Sequence, residues 1–375
     1  MRLLIASGIF HPETGGPATY LFNLLPELVA RGHSVSVLSF GDAATQGYPY
    51  PLTRIPRGFY LRRQLEYYWA ASRLWPGHDL AYIHTLGLPL PRAIRPRVAK
   101  IVGDAAWERA MNRGWVAPDT DVDIFQSARY SLPVEINKAL RAREARRLDH
   151  IIVPSEYLKR MVVGWGVAPE RVTVIYNALE KGINIPSETQ AEARTILGLP
   201  SGPLLLTPAR LTPWKGVDHS IQALARLPDV QMVVAGDGII RPALEELAYR
   251  LGVEQRVRFV GRVPREKLAL YFRAADYTLL YSGYEGLSHV LLESLSIGTP
   301  VIASHKGGNP EVIQHGVNGL LVPYVDITAL ASAIEQAFST GMREQLSAGV
   351  AVGLERFSWS ALVEQTIRVL EAVLA

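Results

Sequence analysis

Two glutamates, an arginine and a lysine in the C-terminal half are the residues around which chemistry could be organised. Glu285 lies in the run Tyr281-Ser-Gly-Tyr-Glu-Gly-Leu-Ser288, and Glu293 follows eight positions later. An acid at each end of a short stretch can hold sugar hydroxyls, one on a hexose and the other on a ribose. The backbone N–H groups of Leu287 and Ser288 stand between them at the start of an apolar helical pattern, where an anion is favoured. At about 1.5 Å per helical residue the two carboxylates are expected roughly 10 Å apart. Acid, amide nest and acid on one line would cradle a nucleotide sugar. An ordinary solvated helix with surface acids would carry the same two residues.

Upstream, Arg210 and Lys215 lie in the loop Ala209-Arg-Leu-Thr-Pro-Trp-Lys-Gly216. Two fixed cations there would neutralise a diphosphate, Arg210 as a bidentate fork and Lys215 as a point charge. Exposed loop cations that are merely solvated are the plainer alternative.

The elements that must position these groups can be read from the apolar pattern. Tyr277-Thr-Leu-Leu-Tyr281 has the length and composition of a buried parallel strand, and residues 282–286 read as loop. From Ser288 the spacing of Val290, Leu291, Ser294, Leu295 and Ile297 is helical, with Gly298 and Pro300 as stop signals and Val301-Ile-Ala303 as the next strand. Leu204-Leu-Leu-Thr207 precedes the cationic loop in the same way. Strand, loop, helix, strand puts both loops at the C-terminal edge of a parallel sheet, where open α/β sheets bind ligands. Residues 231–235 and 256–263 supply two more strands, the latter ending at Arg262 and Val263.

The N-terminal half repeats the theme. Leu3 to Ser7 is strand-like, a loop containing Gly15-Gly16 follows, and Leu21, Leu24, Leu25 and Leu28 mark an amphipathic helix. The glycine pair is not the G-x-G-x-x-G of dinucleotide-binding folds and is weak evidence by itself; a tight turn is the structural alternative. Residues 80–84, ending at His84, and 98–102, leading to Asp104, read as further strands. Residues 41–75 are poorly periodic and rich in arginine and aromatics, among them Arg62, Arg63, Tyr68 and Trp69. Such a segment could meet an acceptor, rest on an anionic membrane surface, or form a helix whose arginine stems lie along apolar neighbours.

A chain of 375 residues, 48% hydrophobic and 20% charged, is globular and suits two domains. It has no cysteine, which excludes disulfides, thiolate metal sites and a cysteine nucleophile. No apolar run approaches the ~18 residues of a membrane span. The N-terminal apolar run is short for a signal peptide and reads as a first strand, so a cytoplasmic protein is expected, with peripheral contact at the inner face of the membrane as a further option. Charge is uneven: residues 1–180 hold 22 Lys and Arg against 16 Asp and Glu, and the remainder 17 against 19. No nucleic-acid motif accompanies the basic half, so nucleic acid is not an expected partner.

The Glu285 to Glu293 stretch, with Gly286-Leu-Ser288 after the first acid, resembles the Glu-x7-Glu motif of retaining glycosyltransferases of family 4, the group 1 glycosyltransferases. Gly298-Thr-Pro-Val-Ile302, residues 307–313 and residues 316–322 resemble the same family. The likeness covers nearly the whole chain and is strongest from about residue 203 to 325. It implies the GT-B fold, two Rossmann-like, doubly wound parallel-sheet α/β domains facing across a cleft. The expected division is 1–182 for acceptor binding, 183–355 for the nucleotide-sugar donor, and 356–375 for a helix crossing back, with the polar segment 180–190 as linker.

The resemblance also implies roles. Glu285 is expected on the hexose and Glu293 on the ribose. Arg210 and Lys215, with the amides of Gly286, Leu287 and Ser288, are expected on the departing diphosphate. Arg262 and Val263 are expected beside the nucleobase, and Gly15 and Gly16 where backbone approaches the donor. Many members carry a histidine where Asp104 stands; an ionised Asp can only accept a hydrogen bond, so Asp104 takes over positioning with reversed polarity or serves locally as a cap. The expected catalytic set is Asp104, Glu285, Arg210 and Lys215, and His84 is an outside candidate. No Asp-x-Asp or histidine cluster marks the donor half, so no metal, and no cofactor beyond a UDP- or GDP-sugar co-substrate, is expected. The acceptor is a glycan, a lipid-linked sugar or a small molecule, polysaccharide assembly being the commonest setting of the family. The rival reading is a non-catalytic sugar-nucleotide binder on the same fold. An NAD-dependent oxidoreductase would leave the four charged residues without work.

Overall fold

The computed structural model describes residues 1–13, 15–179 and 185–375. The expected domain boundary after residue 182 lies outside the described residues. The chain forms two compact units, one of Met1–Val116, Gln126–Tyr176 and Trp359–Ala375, the other of Ala117–Phe125 and Asn177–Ser358. Each is an α/β unit built on one wholly parallel sheet.

The first unit carries seven strands: β1 (Arg2–Ser7), β2 (Ser34–Phe40), β3 (Leu52–Ile55), β4 (Leu80–Ile83), β5 (Arg97–Lys100), β6 (His150–Val153) and β7 (Val172–Val174). Their order is β3-β2-β1-β4-β5-β6-β7. Leu3 to Ala6 of β1 are wholly buried, as helices on both faces require of a central parallel strand. In register, Ile5 of β1 lies opposite Val37 of β2 and Tyr82 of β4. The order reverses beside β1, so the β1 and β4 ends form this sheet's switch point.

β3 and the helix Tyr60–Leu74 come from the segment whose sequence showed little period. β3 is a four-residue edge strand, too short for an apolar run, and its helix buries only Tyr67 and Ala71. Tyr67 holds that helix to the sheet by donating its hydroxyl to the Leu38 carbonyl at 3.0 Å. The C-terminal helix Trp359–Ala372 packs in this unit, its Trp359 ring 6.4 Å from that of Tyr20 on the helix Gly16–Ala30.

The second unit carries β8 (Leu204–Pro208), β9 (Gln231–Ala235), β10 (Val257–Gly261), β11 (Tyr277–Leu280), β12 (Val301–Ser304) and β13 (Gly319–Val322). Their order, β10-β9-β8-β11-β12-β13, reverses between β8 and β11. Every residue of β8, β11 and β12 is buried. Below the sheet edge, Asp276 takes hydrogen bonds from Arg194 and the Leu204 amide, both at 2.8 Å, joining the start of β8 to the start of β11. The expected helix stop is present: Gly298 ends the helix His289–Ile297 at φ 92°, which only glycine adopts without strain.

Candidate functional site

The two loops singled out by their charged residues leave the C-terminal ends of β8 and β11, the strands that flank the second sheet's reversal. A crevice at that point is where an open α/β sheet takes a ligand. From β8 the chain passes Arg210 and a 3-10 turn, Pro213–Lys215, before the helix Val217–Leu224. From β11 it passes Glu285 before the helix His289–Ile297. Lys215 Nζ and Glu285 Oε1 meet at 2.5 Å, with side chains only 20% and 12% exposed. Arg210 is exposed at the same edge.

Backbone contacts fix this edge. The Gly283 amide donates to Trp214 O at 2.8 Å, tying the two loops together, and the Gly308 amide donates to Glu285 O at 2.9 Å. Asn177 Nδ2 donates to Leu287 O at 3.0 Å. Gly216, at φ 62°, lies so close to Tyr281 that a Cβ there would come within 1.9 Å of its carbonyl oxygen. Gly307, at φ 60°, meets Glu285 in the same way, at 2.3 Å. Both close approaches hold Lys215 and Glu285 in place, and any side chain would force the loops apart.

Glu293 does not point at Lys215. Its Oε1 lies 2.7 Å from Nη2 of Arg265, in the first turn of the helix Arg265–Ala274. Arg262 and Val263 immediately precede that helix at the end of edge strand β10, so the ion pair links Glu293 to the β10 exit. Arg265 carried no signal in the sequence, because its partner is 28 residues away. Lys306 was also missed. It follows β12, and its Nζ lies 2.6 Å from Asp121 and 3.2 Å from Asp123. A cation two residues past a strand end, before Gly307-Gly308, was the available signal. Burial pulls the Lys306 ammonium down, but the hydrogen bonds and charges of the two aspartates outweigh it and raise its pKa.

The remaining expected residues lie in the first unit. Gly15, at φ 154°, begins the helix Gly16–Ala30, and a Cβ on it would come within 2.8 Å of Ile9. Among the described residues nothing stands within 4 Å of a Cβ position on Gly16, so they do not themselves demand glycine there. Asp104 is wholly buried. Its Oδ1 caps the helix Ala105–Asn112 by accepting from the Ala106 and Trp107 amides at 2.9 and 3.2 Å. Its Oδ2 accepts from Gln126 at 2.9 Å and from buried Arg141. Of the two roles expected for Asp104, the local cap is the one this geometry describes.

His84, just past β4, is buried against Tyr82 and Tyr20, with ring centroids 4.3 and 5.3 Å away. Lys100, ending β5, is buried beside it, its Nζ 4.0 Å from the Tyr20 ring centroid. Among the described residues neither Lys100 Nζ nor His84 Nε2 has a hydrogen-bond partner. Burial pushes the Lys100 ammonium down to about 7, and burial, aided by Lys100, pulls His84 well below its usual value.

Replacing Lys100 with methionine is therefore expected to raise stability, most at low pH. The unfolded chain holds the lysine proton up to about pH 10.5 while the folded chain releases it near 7. Between those values the wild type should gain stability with rising pH, by at most ~1.4 kcal/mol per pH unit. Urea denaturation at a series of pH values checks this: the methionine variant should lose that rise, and an unchanged slope would refute the account.

Comparison with known proteins bears on this geometry. The family described as glycosyl transferases group 1 matches residues 189–349, and the one described as glycosyltransferase family 4 matches residues 14–181. An uncharacterized glycosyltransferase of Methanocaldococcus jannaschii is 33% identical over 229 residues, covering 58% of this chain and 59% of that protein. A D-inositol 3-phosphate glycosyltransferase of Acidothermus cellulolyticus is 33% identical over 231 residues, covering 58% of this chain and 51% of that protein. The chain thus spans little more than half the length of these curated relatives. In fold, a sucrose-phosphate synthase from Thermosynechococcus elongatus superposes with a TM-score of 0.81 at 22% identity, covering 99% of this chain and 98% of that one. Anabaena HepE in complex with UDP and glucose superposes with a TM-score of 0.78 at 22% identity, covering 99% and 100%.

Proposed function

The chain belongs to the group 1 glycosyltransferases of family 4, with the GT-B fold, and from that membership we propose that it transfers a hexose from a nucleoside-diphosphate sugar to a glycan, lipid-linked or small-molecule acceptor. The observation that carries the proposal is the Lys215–Glu285 pair at the β8 and β11 ends. Lys215 is a triple donor, so its ammonium can keep Glu285 and still take a diphosphate oxygen. Arg210 adds a fork at the same edge, and the amides before the helix His289–Ile297 add the positive end of its dipole. Charge grows on the diphosphate as it departs, so these groups stabilise the transition state more than the bound donor.

In this reading Glu285 takes the hexose hydroxyls and Glu293, held by Arg265, takes the ribose. The bond from the anomeric carbon to the β-phosphate oxygen breaks and the acceptor oxygen bonds to the same face of that carbon, with retention. The acceptor proton passes to the departing phosphate. No separated acid–base pair of the glycosidase kind is needed, and no metal enters the scheme. UDP is the base-bearing group of the Anabaena relative, which makes UDP-sugars the first donors to try.

Thermal stability and nucleotide release with UDP-sugars, GDP-sugars and NAD, with and without EDTA, test the proposal. One sugar nucleotide should stabilise the protein and be slowly hydrolysed, with EDTA making no difference. Stabilisation by NAD alone would overturn the reading, as would sugar-nucleotide binding without turnover across a broad acceptor panel.

A further inference from the structure

Between residues 59 and 69 the first unit exposes Phe59, Tyr60, Leu61, Leu65, Tyr68 and Trp69, six of the 21 large hydrophobic side chains exposed among the described residues. Of the other 15, Leu132, Ile136 and Leu140 form a shorter stripe on the helix Leu132–Arg146 and the rest are scattered; these six are the larger group, concentrated on one turn and its helix. Along the helix Tyr60–Leu74, at about 100° per residue, Leu61, Leu65, Tyr68 and Trp69 fall in one stripe. Tyr67 and Ala71, which hold the helix to the sheet, point the other way and are buried. The core therefore does not need the stripe. Leu61, Leu65 and Trp69 are each about 60% exposed.

Cations flank the stripe. Between residues 57 and 73 the chain holds Arg57, Arg62, Arg63 and Arg73 against one acid, Glu66. Arg57 is paired with Glu13 from outside this stretch and Arg62 with Glu66, so Arg63 and Arg73 carry the net positive charge of the face. Arg62, Arg63 and Arg73 line a groove of about 730 Å³ that runs from the end of β3 along this helix, with Phe59 and Trp69 on its rim. Glu66 lies in the same groove, 2.7 Å from Arg62, and neutralises only that arginine.

We propose that this face seats the protein on an anionic phospholipid bilayer, with Leu61, Leu65 and Trp69 in the acyl boundary and the arginine-lined groove on lipid phosphates. An interface is the one environment that rewards both halves of the surface at once, since apolar side chains leave water while the guanidinium groups keep anionic, hydrated partners. A second copy of the chain would bury the leucines but set Arg63 and Arg73, the two arginines of the face not paired with Glu13 or Glu66, against the same two across a two-fold contact. Nucleic acid would satisfy the arginines and leave Leu61 and Leu65 in water. The proposal goes beyond the transferase reading and does not rest on it.

The test is cosedimentation of the full chain with vesicles of phosphatidylcholine alone and of phosphatidylcholine with phosphatidylglycerol, in about 0.1 M salt. Binding is expected only to the anionic vesicles, with a blue shift of tryptophan emission that Trp69→Phe reduces. Arg62→Gln and Arg73→Gln should each weaken binding roughly fivefold. Leu61→Ser with Leu65→Ser should weaken it at least about tenfold. These side chains are exposed, so nucleotide release without vesicles should be unchanged in all of these variants, which separates a failure here from a failure of the transferase reading. Absence of binding to anionic vesicles would overturn the proposal. So would binding indifferent to both sets of substitutions, or a dimer in solution that the leucine substitutions abolish.

Discussion

Glu285→Gln should lower turnover by roughly 10²–10³-fold while nucleoside-diphosphate affinity is kept or improved. Glutamine matches glutamate in size, so the loop that packs on Gly307 and Gly308 is undisturbed. What changes is charge. The carboxylate 2.5 Å from Lys215 is replaced by a neutral amide, and the ammonium loses its internal counter-ion. A free diphosphate then meets a stronger cation, so its dissociation constant should stay level or fall. If Glu285 holds the hexose as proposed, the sugar loses an ionised acceptor for its hydroxyls, and the reacting carbon is held less well in the transition state.

Lys215→Met provides the opposite sign. It leaves Glu285 as an uncompensated negative charge at the proposed diphosphate site, so affinity and turnover should fall together. Initial rates with the donor found by the nucleotide panel, and calorimetric titration with its nucleotide, measure both. If Glu285→Gln turns over within threefold of wild type, the glutamate has no part in the chemistry.

Arg141→Met should destabilise the protein by about 3–5 kcal/mol, because it strands the buried Asp104 carboxylate without its guanidinium. The pair is inside the first unit, with side chains 7% and 0% exposed, and Arg141 also lies over the Trp165 ring at 4.2 Å. Methionine fills much of the volume, so the loss is electrostatic and not a cavity. Asp104→Asn is the partner experiment. Asparagine still caps the helix Ala105–Asn112 but leaves Arg141 charged and buried, so it too should cost several kcal/mol. Joining the two substitutions should recover much of the loss, since no buried charge then remains. Urea unfolding of the four proteins reads the coupling. Turnover per folded molecule reads the other role: an Asp104→Asn protein of normal stability with turnover lowered a hundredfold would refute the structural assignment and restore Asp104 to the chemistry.

Asp104 also marks where sequence reasoning reaches its limit. A position beyond a strand end says that a carboxylate stands at a ligand-binding edge. It does not say what else will claim the carboxylate, and here the claimants come from residues 126 and 141. Glu285 and Lys215 were legible because each sits at a fixed offset from its own buried strand, and parallel strands bring their C-terminal ends to one edge. Their mutual contact was not legible. It depends on β8 and β11 being neighbours although 68 residues separate Pro208 from Tyr277, with two other strands intervening in sequence.

The same division runs through the rest of the molecule. The sequence by itself determined the two α/β units, the strand–loop–helix pattern, the glycine stops and the family, because these rest on period, turn chemistry and motif, all local in the chain. Only the tertiary structure decided that Glu293 is held by Arg265 and that Lys306 is claimed by Asp121 and Asp123. It alone set Lys100 beside Tyr20 with no counter-ion among the described residues, and left Leu61, Leu65 and Trp69 facing out. Pairing and burial are properties of which distant segments become neighbours. That is fixed by how the sheets order their strands and by which helix face the core needs, and neither is written in residue spacing.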